Sequence, residues 1–414
     1  MKAWILSIGN ELLNGHTLNT NATFIAENLF NIGIDVTKII CTSDNKNEIL
    51  AILNEAYKET QLVIATGGLG PTTDDISKDA FCQFFNQKLV FNKNVWHNIG
   101  SLFSKRNIPI SELNKKQALV PEDAIVLKNQ LGTAPGLVLR KNKFVLIALP
   151  GIPFEMKHIF ENEVIPYINK NFENKSIYNK TFLFSGISES LLAEKLYDID
   201  NILRKNNINI AYLPQPGIIK LKLYYKNKCE EDKLINNFIS FVNTYLFDYL
   251  IYDDDISLQE ILGLKLIQAN KTICTAESCT GGFIAHQITS IPGSSKYFLG
   301  SIVAYSNEIK TSVLKIPSVT IKKYGSVSKE VVEIMAINAR NMLKSDYSVA
   351  VSGIAGPDGG TKEKPVGTTW IAIAGNNFCI SEKFIFGNCR IANIERTSNT
   401  AFVLLIKELN KIIK

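Results

Sequence analysis

Between an apolar run and a helix-period stretch the chain reads TAESCTGG over 275–282. A carboxylate (Glu277), a hydroxyl (Ser278), a thiol (Cys279) and a second hydroxyl (Thr280) thus stand at a strand-to-helix turn. Backbone N–H groups there point outward and stabilise an anion, either a phosphate or the oxyanion of acyl transfer. Gly281 and Gly282 let a ligand approach the backbone closely. Ser and Thr before a helix also serve as N-caps, and the turn alone does not choose between these roles. Three further segments add small and polar groups. IPGSS (291–295) carries Gly293, Ser294 and Ser295. AYSNEIK (304–310) ends a strand and opens a helix, which brings Tyr305 and Lys310 to the same sheet edge. SGIAGPDGG (352–360) includes Gly353 and ends another strand. Strand ends that converge in this way predict a pocket.

A second set lies near the amino terminus. TGGLGPTTDD (66–75) contains Gly67, Gly68, Gly70, Thr72, Asp74 and Asp75, and it follows a strand end. Such a loop presents bare N–H groups to a phosphate, and adjacent carboxylates beside it could share a divalent cation with that phosphate. Asp74 and Asp75 could equally cap the following helix and complement its dipole. Glu11, Asp44, Asn19–Asn21, Lys116-Gln117-Ala118, GTAPG (132–136) and LPGIP (149–153) complete the set.

The elements that must position these residues alternate in type. Strands are expected over 3–8, 35–41, 62–66 and 143–149, and helices over 20–32, 46–58, 75–85 and 94–105. That alternation implies a parallel sheet covered on both faces. From about 175 to 252 the pattern changes to a small α+β unit with strands over 178–184 and 218–225 and helices over 188–198 and 230–246. The acidic run Asp253-Asp254-Asp255 reads as a linker into a helix over 258–269. The last unit alternates again, with strands over 272–276, 301–305, 347–352, 368–374 and 378–386. Its helices are expected over 282–288, 329–343 and from about 392 to the end. The expected class is therefore α/β, two three-layer α/β/α domains joined by a small α+β domain, with bounds 1–172, 173–255 and 256–414. Ligands in open α/β sheets sit at the carboxyl ends of the strands, where both glycine loops lie.

Composition excludes several classes. With 414 residues, 46% hydrophobic and 20% charged, the chain builds real cores. Forty-five basic against 39 acidic residues leave a net charge of +6. That charge is spread without a basic stripe, which argues against nucleic acid as a partner. No apolar run reaches the roughly 18 residues of a membrane helix. The first residues read as a strand, not a signal peptide. Seven cysteines without CxxC spacing and four histidines without HxxxH or HxH spacing make neither a disulfide framework nor a zinc knuckle. Buried, reduced thiols in a cytoplasmic protein are the expectation.

TAESCTGG, IPGSS, AYSNEIK, YGSVS, VSGIAGPDGG and KPVGTTW resemble, in order and spacing, the nicotinamide-nucleotide amidase domain of the CinA (competence/damage-inducible) family, over 256–414. The resemblance implies hydrolysis of nicotinamide mononucleotide to nicotinate mononucleotide and ammonia, without a metal. Ser278 matches the family's nucleophile and Lys310 its general base, with Tyr305 orienting the lysine or the ring. As a base, the lysine must work neutral, and a shift from its reference pKa of about 10.4 to near 7 or 8 corresponds to roughly 4 kcal/mol. The oxyanion falls to N–H groups at 278–280, and the phosphate to Thr280, the 293–295 loop and Arg390. Glu277 and Cys279 are expected in structural or orienting roles, Cys279 being the alternative nucleophile. After the last strand, Ile394 stands where the family commonly has a basic residue. The phosphate site is one that a homodimer interface could complete.

Residues 1–170 resemble the family's molybdopterin-binding-like domain, and the middle unit its small linking domain. That implies a metal-dependent ADP-ribose pyrophosphatase using Glu11, Asp44, Asp74 or Asp75 with the glycine loop. A molybdopterin-handling nucleotidyltransferase and a non-enzymatic partner in competence or DNA repair are the alternatives.

Overall fold

In the computed structural model, which describes residues 1–71, 75–111, 113–173, 177–226 and 232–413, the first strand alternates its side chains between two cores. Along β1 (Lys2–Ile8), Trp4, Leu6 and Ile8 enter one core while Ala3 and Ile5 enter the other. A strand that is apolar on both sides must be covered on both faces. The helices α1 (Thr20–Asn31) and α5 (Pro153–Ile159) supply one layer through Ile25, Leu29, Met156 and Ile159. The opposite layer comes from α2 (Lys46–Glu59), α3 (Ser77–Phe85) and α4 (Lys93–Arg106), through Leu53, Phe81 and Ile99. Between the layers lies a six-stranded sheet with β2 (Asp35–Thr42), β3 (Leu62–Thr66), β4 (Ile125–Leu127), β5 (Gly136–Lys141) and β6 (Phe144–Leu149), in the order β2-β1-β3-β6-β5-β4.

The expected parallel sheet holds for β2, β1, β3 and β6 and fails beyond them. β5 pairs antiparallel with β6, and β4 antiparallel with β5. The reason is a two-residue hairpin: Lys141 faces Phe144 across Asn142-Lys143, with Asn142 at φ 56°. Asn accepts the positive φ that such a tight turn requires. A separate two-stranded antiparallel pair, Leu89–Phe91 with Leu119–Pro121, was also not expected from the sequence.

The chain divides by contacts into two units, Met1–Tyr178 and Asn179–Lys414. In the second, a small antiparallel sheet in the order β8-β9-β7-β10 comes first. It comprises β7 (Ile177–Phe184), β8 (Asn209–Gln215), β9 (Ile218–Lys226) and β10 (Leu250–Tyr252) with the helices α6 (Glu189–Lys205) and α7 (Asp232–Tyr245). The acidic linker does more than lead into a helix. Asp253 pairs with Lys180 of β7, and Asp255 pairs with both Lys220 and Lys222 of β9. Two residues on, Ser257 and Glu260 form a reciprocal capping box that opens α8 (Leu258–Ala269).

The last domain is again three-layered, with the order β12-β11-β13-β14-β15. Its strands are β11 (Ile273–Glu277), β12 (Phe298–Val303), β13 (Tyr347–Gly353), β14 (Thr368–Ala374) and β15 (Cys379–Ile385). The helices α9 (Phe283–Thr289), α10 (Asn307–Ser312), α11 (Lys329–Leu343) and α12 (Arg390–Asn410) complete it. Alanines on one sheet face (Ala276, Ala350, Ala372, Ala374) let α11 approach closely, while Ile273, Val349, Ile371 and Ile373 meet α8 and α12 on the other. No helix among the described residues is long and apolar enough to cross a membrane. Of the described cysteines, Cys82, Cys274 and Cys279 are buried as expected, Cys379 is intermediate, and Cys41 and Cys389 are exposed; all six are free.

Candidate functional site

β11 and its two parallel neighbours place three loops at one sheet end. Glu277 is paired with Val303 of β12 and Val351 of β13, so the chain leaves all three strands together. The ladder runs one step further on each side: Ser278 N donates to Val351 O (3.1 Å) and Ala304 N donates to Glu277 O (2.8 Å). Ser278 and residues 304–305 are thus fixed by backbone bonds before any side chain acts.

The side chains then meet. Lys310 Nζ lies 2.9 Å from Ser278 Oγ, and the carbonyls of Ala304 (2.9 Å) and Tyr305 (3.2 Å) accept from the same nitrogen. Lys310 projects from α10, whose first turn is capped by Ser306 accepting from Ile309 N. The pair is buried, Ser278 to 7% exposure and Lys310 to 1%. Burial pushes the lysine below its ordinary 10.5, because a charged ammonium loses its hydration there. A thiolate at Cys279 would pull the value back up, but burial pushes that thiol itself up to about 12, so near neutrality it is uncharged. A neutral amine has two N–H donors and one lone pair. In that neutral form, with both donors on the two carbonyls, the lone pair would face the serine hydroxyl.

Glu277 has a role the sequence reading left open. It is fully buried, and its Oε2 accepts from Gly282 N (3.1 Å), Ile284 N (3.0 Å) and Thr280 Oγ1 (2.7 Å) while Oε1 accepts from Ala285 N (2.9 Å). The carboxylate therefore fills the amino terminus of α9, and neither Ser278 nor Thr280 is its N-cap. The expectation that this helix terminus receives a ligand anion is corrected accordingly. Of the turn's own donors, Ser278 N is engaged with Val351 and Cys279 N with its own thiol, whereas Thr280 N has no acceptor among the described residues. Glu277→Ala would strand three N–H groups, that of Ile284 buried and those of Gly282 and Ala285 partly so, at up to about 1–3 kcal/mol each. The expected result is a loss of several kcal/mol in denaturant unfolding, with Glu277→Gln intermediate.

The other expected members divide. Gly353 packs against this turn: a Cβ there would fall 3.1 Å from Cys279 Sγ and 2.6 Å from Thr369 Oγ1. Tyr305 orients Lys310 through its carbonyl, not its ring, which is 60% exposed with its hydroxyl accepting from Arg390 Nη2 (3.1 Å). Arg390 opens α12 and also donates to Gly356 O (2.9 Å). Arg396 donates to Phe386 O. Gly281 is at φ 61° in the turn. Gly293, Ser294 and Ser295 are not brought to Ser278. Their loop leads into Phe298, which pairs with Ile273 at the opposite end of β11. A loop between a helix and the start of a parallel strand must lie at that opposite end, which composition alone does not reveal.

In the amino-terminal unit a cleft of about 660 Å³ is lined by Gly67, Gly68, Gly70, Glu11, Asp44 and Asp75. Gly67 (φ 101°) could not be another residue, since a Cβ would fall 2.1 Å from Ile8 O. Asp44 Oδ2 accepts from Asn10 N (3.1 Å). No side chain caps α3, whose N-cap is Ile76. Thr72 and Asp74 lie outside the described residues. Among the described residues no group of three carboxylate, histidine or cysteine side chains stands close enough together to hold an ion by itself.

Family models match three segments: the CinA C-terminal domain over 255–409, the probable molybdopterin binding domain over 4–170, and the damage-inducible protein CinA KH domain over 179–251. A CinA-like protein of Flavobacterium psychrophilum is 42% identical over 419 residues, covering 99% of each chain. The chain belongs to the CinA family. A CinA-like protein of Cytophaga hutchinsonii is 39% identical over 414 residues, covering 99% of this chain and 98% of that one. The solved CinA structure from Thermoplasma acidophilum is 31% identical and covers 41% of this chain and 96% of its own, with a TM-score of 0.37.

Reading the sequence missed one residue that lines the amino-terminal cleft and one that supports it from behind. Glu155, buried on α5, lines it and accepts from Asn129 Nδ2 (2.7 Å). Lys78 is buried on α3 and donates to Lys116 O (3.0 Å) and Leu119 O (3.1 Å), pinning the segment that carries Gln117 into the cleft. Burial holds Lys78 down to about 8 against the pull of Asp75 and Asp79. The only signal for either was proximity to the glycine-proline turns at 67–71 and 150–153.

Proposed function

We propose that the carboxyl-terminal domain hydrolyses nicotinamide mononucleotide to nicotinate mononucleotide and ammonia. The observation that carries this reading is the 2.9 Å approach of Lys310 Nζ to Ser278 Oγ with two carbonyls on the same nitrogen. Neutral Lys310 takes the hydroxyl proton as Ser278 Oγ bonds to the carboxamide carbon. The oxyanion so formed falls to Thr280 N and, once it turns from its own thiol, Cys279 N, each donor worth about 3 kcal/mol in such sites. The intermediate collapses with cleavage of the C–N bond, and Lys310 returns its proton to the leaving nitrogen, which departs as ammonia. Water, deprotonated by the same amine, then cleaves the acyl ester and regenerates the serine. Arg390, tied at present to Tyr305 and Gly356, is the cation available to the substrate phosphate. The test is ammonia release by the purified protein supplied with nicotinamide mononucleotide.

For the amino-terminal domain, the joining of a glycine loop and several carboxylates in one cleft favours ADP-ribose, split to AMP and ribose 5-phosphate. A divalent ion there would have to be completed by the diphosphate oxygens themselves. A chelator separates the two halves: EDTA is expected to abolish AMP formation and to spare ammonia release. Asp75→Asn is expected to lower AMP formation at least about 10²-fold with ammonia release unchanged, measured by paired assays on one preparation.

A further inference from the structure

Within the amino-terminal unit a second cavity, of about 520 Å³, opens between α4 and the stretch that runs from β4 to β5. Its volume is that of a small-molecule site. It adjoins the glycine-loop cleft, since Thr133 lines both. Lys128 carries the one permanent charge on its wall; no carboxylate lines it, and that ammonium has no ion pair among the described residues. The polar groups divide by whether the protein already engages them. Asn129 is fully engaged: Nδ2 donates to Ala134 O and Glu155 Oε2, and Oδ1 accepts from Leu131 N and Gly132 N. Asn92 Oδ1 caps α4, and Ser101 Oγ donates to Asn98 O. Asn98 gives Nδ2 to Asn129 O (2.8 Å) and keeps Oδ1, while Thr133 Oγ1 accepts from Gln117 Nε2 (2.8 Å) and keeps its own proton. The side chains of Asn94 and His97 make no hydrogen bond among the described residues. The apolar remainder is Val95, Val126 and Pro135, with no Phe, Tyr or Trp on which a nucleobase could stack.

We propose that this cavity binds a phosphorylated sugar of pentose size. Lys128 takes the phosphate as a charge-assisted donor. Asn94, Asn98, His97 and Thr133 meet the sugar hydroxyls, each of which both donates and accepts. An ammonium without a competing carboxylate selects an anion, and amide, imidazole and hydroxyl groups without a stacking ring select a polyol over a base. The site does not rest on the reaction assigned to the neighbouring cleft, although two short runs of hydrogen bonds join them. Asn98 bonds Asn129, which bonds Glu155 of the cleft, and Thr133 bonds Gln117 of the cleft.

The experiment is calorimetric titration of the full chain with ribose 5-phosphate, beside ribose and inorganic phosphate. Ribose 5-phosphate is expected to bind at least ten-fold more tightly than either. Lys128→Glu should weaken it at least ten-fold, and Asn94→Asp, which sets a carboxylate on the wall, at least three-fold. Both positions are exposed, so both variants should fold, with thermal unfolding as the control. Lys105→Glu makes the same change of charge on α4 outside the cavity and should leave the dissociation constant within two-fold. Asp75→Asn, in the cleft, should do the same, which distinguishes this site from the glycine loop. The proposal is overturned if ribose 5-phosphate does not bind or if ribose binds as tightly. It is overturned equally if folded Lys128→Glu stays within two-fold of the parent, or if Lys105→Glu weakens binding as much as Lys128→Glu does.

Discussion

Replacing Ser278 with alanine is expected to cut ammonia release from nicotinamide mononucleotide by at least about 10³-fold, a loss of roughly 4 kcal/mol in transition-state stabilisation. Cys279→Ala is expected to keep turnover within about ten-fold. The contrast matters because the two nucleophiles are adjacent and both buried. Geometry and electrostatics separate them. Ser278 Oγ is the atom in contact with the lysine, whereas burial pushes the Cys279 thiol up to about 12, so it holds almost no thiolate at neutral pH. The thiol also packs beside Gly353. Its removal is thus a small cavity change next to the turn, not the loss of a reacting atom. Ser278→Ala should leave the fold intact, because the backbone bonds from Ser278 N and Ala304 N do not involve the hydroxyl. A steady-state ammonia assay on both variants, with thermal unfolding as the control, decides it. The opposite ranking would move the chemistry to the cysteine.

How much of this was legible beforehand depends on whether the cause was local. The strands 62–66 and 368–374 and the helices 258–269 and 329–343 follow from periodicity and flanking turn residues, and they stand where the sequence puts them. The meeting of Ser278 with Lys310 was also legible, since both follow ends of strands expected in one sheet. What was not legible is set by register and topology. β12 was expected over 301–305 and runs over Phe298–Val303. That shift moves Tyr305 out of the strand, so that its carbonyl rather than its ring reaches the lysine. The glycine-serine loop at 293–295 looks like a site by composition yet leads into the far end of the sheet. Glu277 was invisible as a cap because it precedes α9 by six positions, outside the local spacing at which capping residues are sought. The antiparallel β5–β6 hairpin turns on a single Asn at positive φ, too short a signal to interrupt a pattern of alternating strands and helices.

Lys310 offers the more searching experiment, because a buried cation and a buried base predict different things. Lys310→Met is expected to abolish ammonia release by about 10³-fold or more. Lys310→Arg is expected to be as inactive, since a guanidinium stays protonated and cannot accept the serine proton. If the residue served only to hold positive charge beside Ser278, arginine would restore a measurable fraction of the rate. The pH dependence follows from the same placement. Burial lowers the lysine below 10.5, and the deprotonated form is the active one. The rate should therefore rise with pH through that lowered value and level off above it, and this limb should be missing from any residual activity of Lys310→Met. Folding is linked to the same proton. Between the lowered native value and 10.5 the unfolded chain binds more protons than the native one, so this group's contribution to stability increases as pH rises through that window. At lower pH the native lysine too must be charged within its buried site, and the full penalty applies. Amidase rate and the Lys310-dependent part of stability should thus climb over overlapping pH ranges, and kinetics and denaturant unfolding on the same buffers test both.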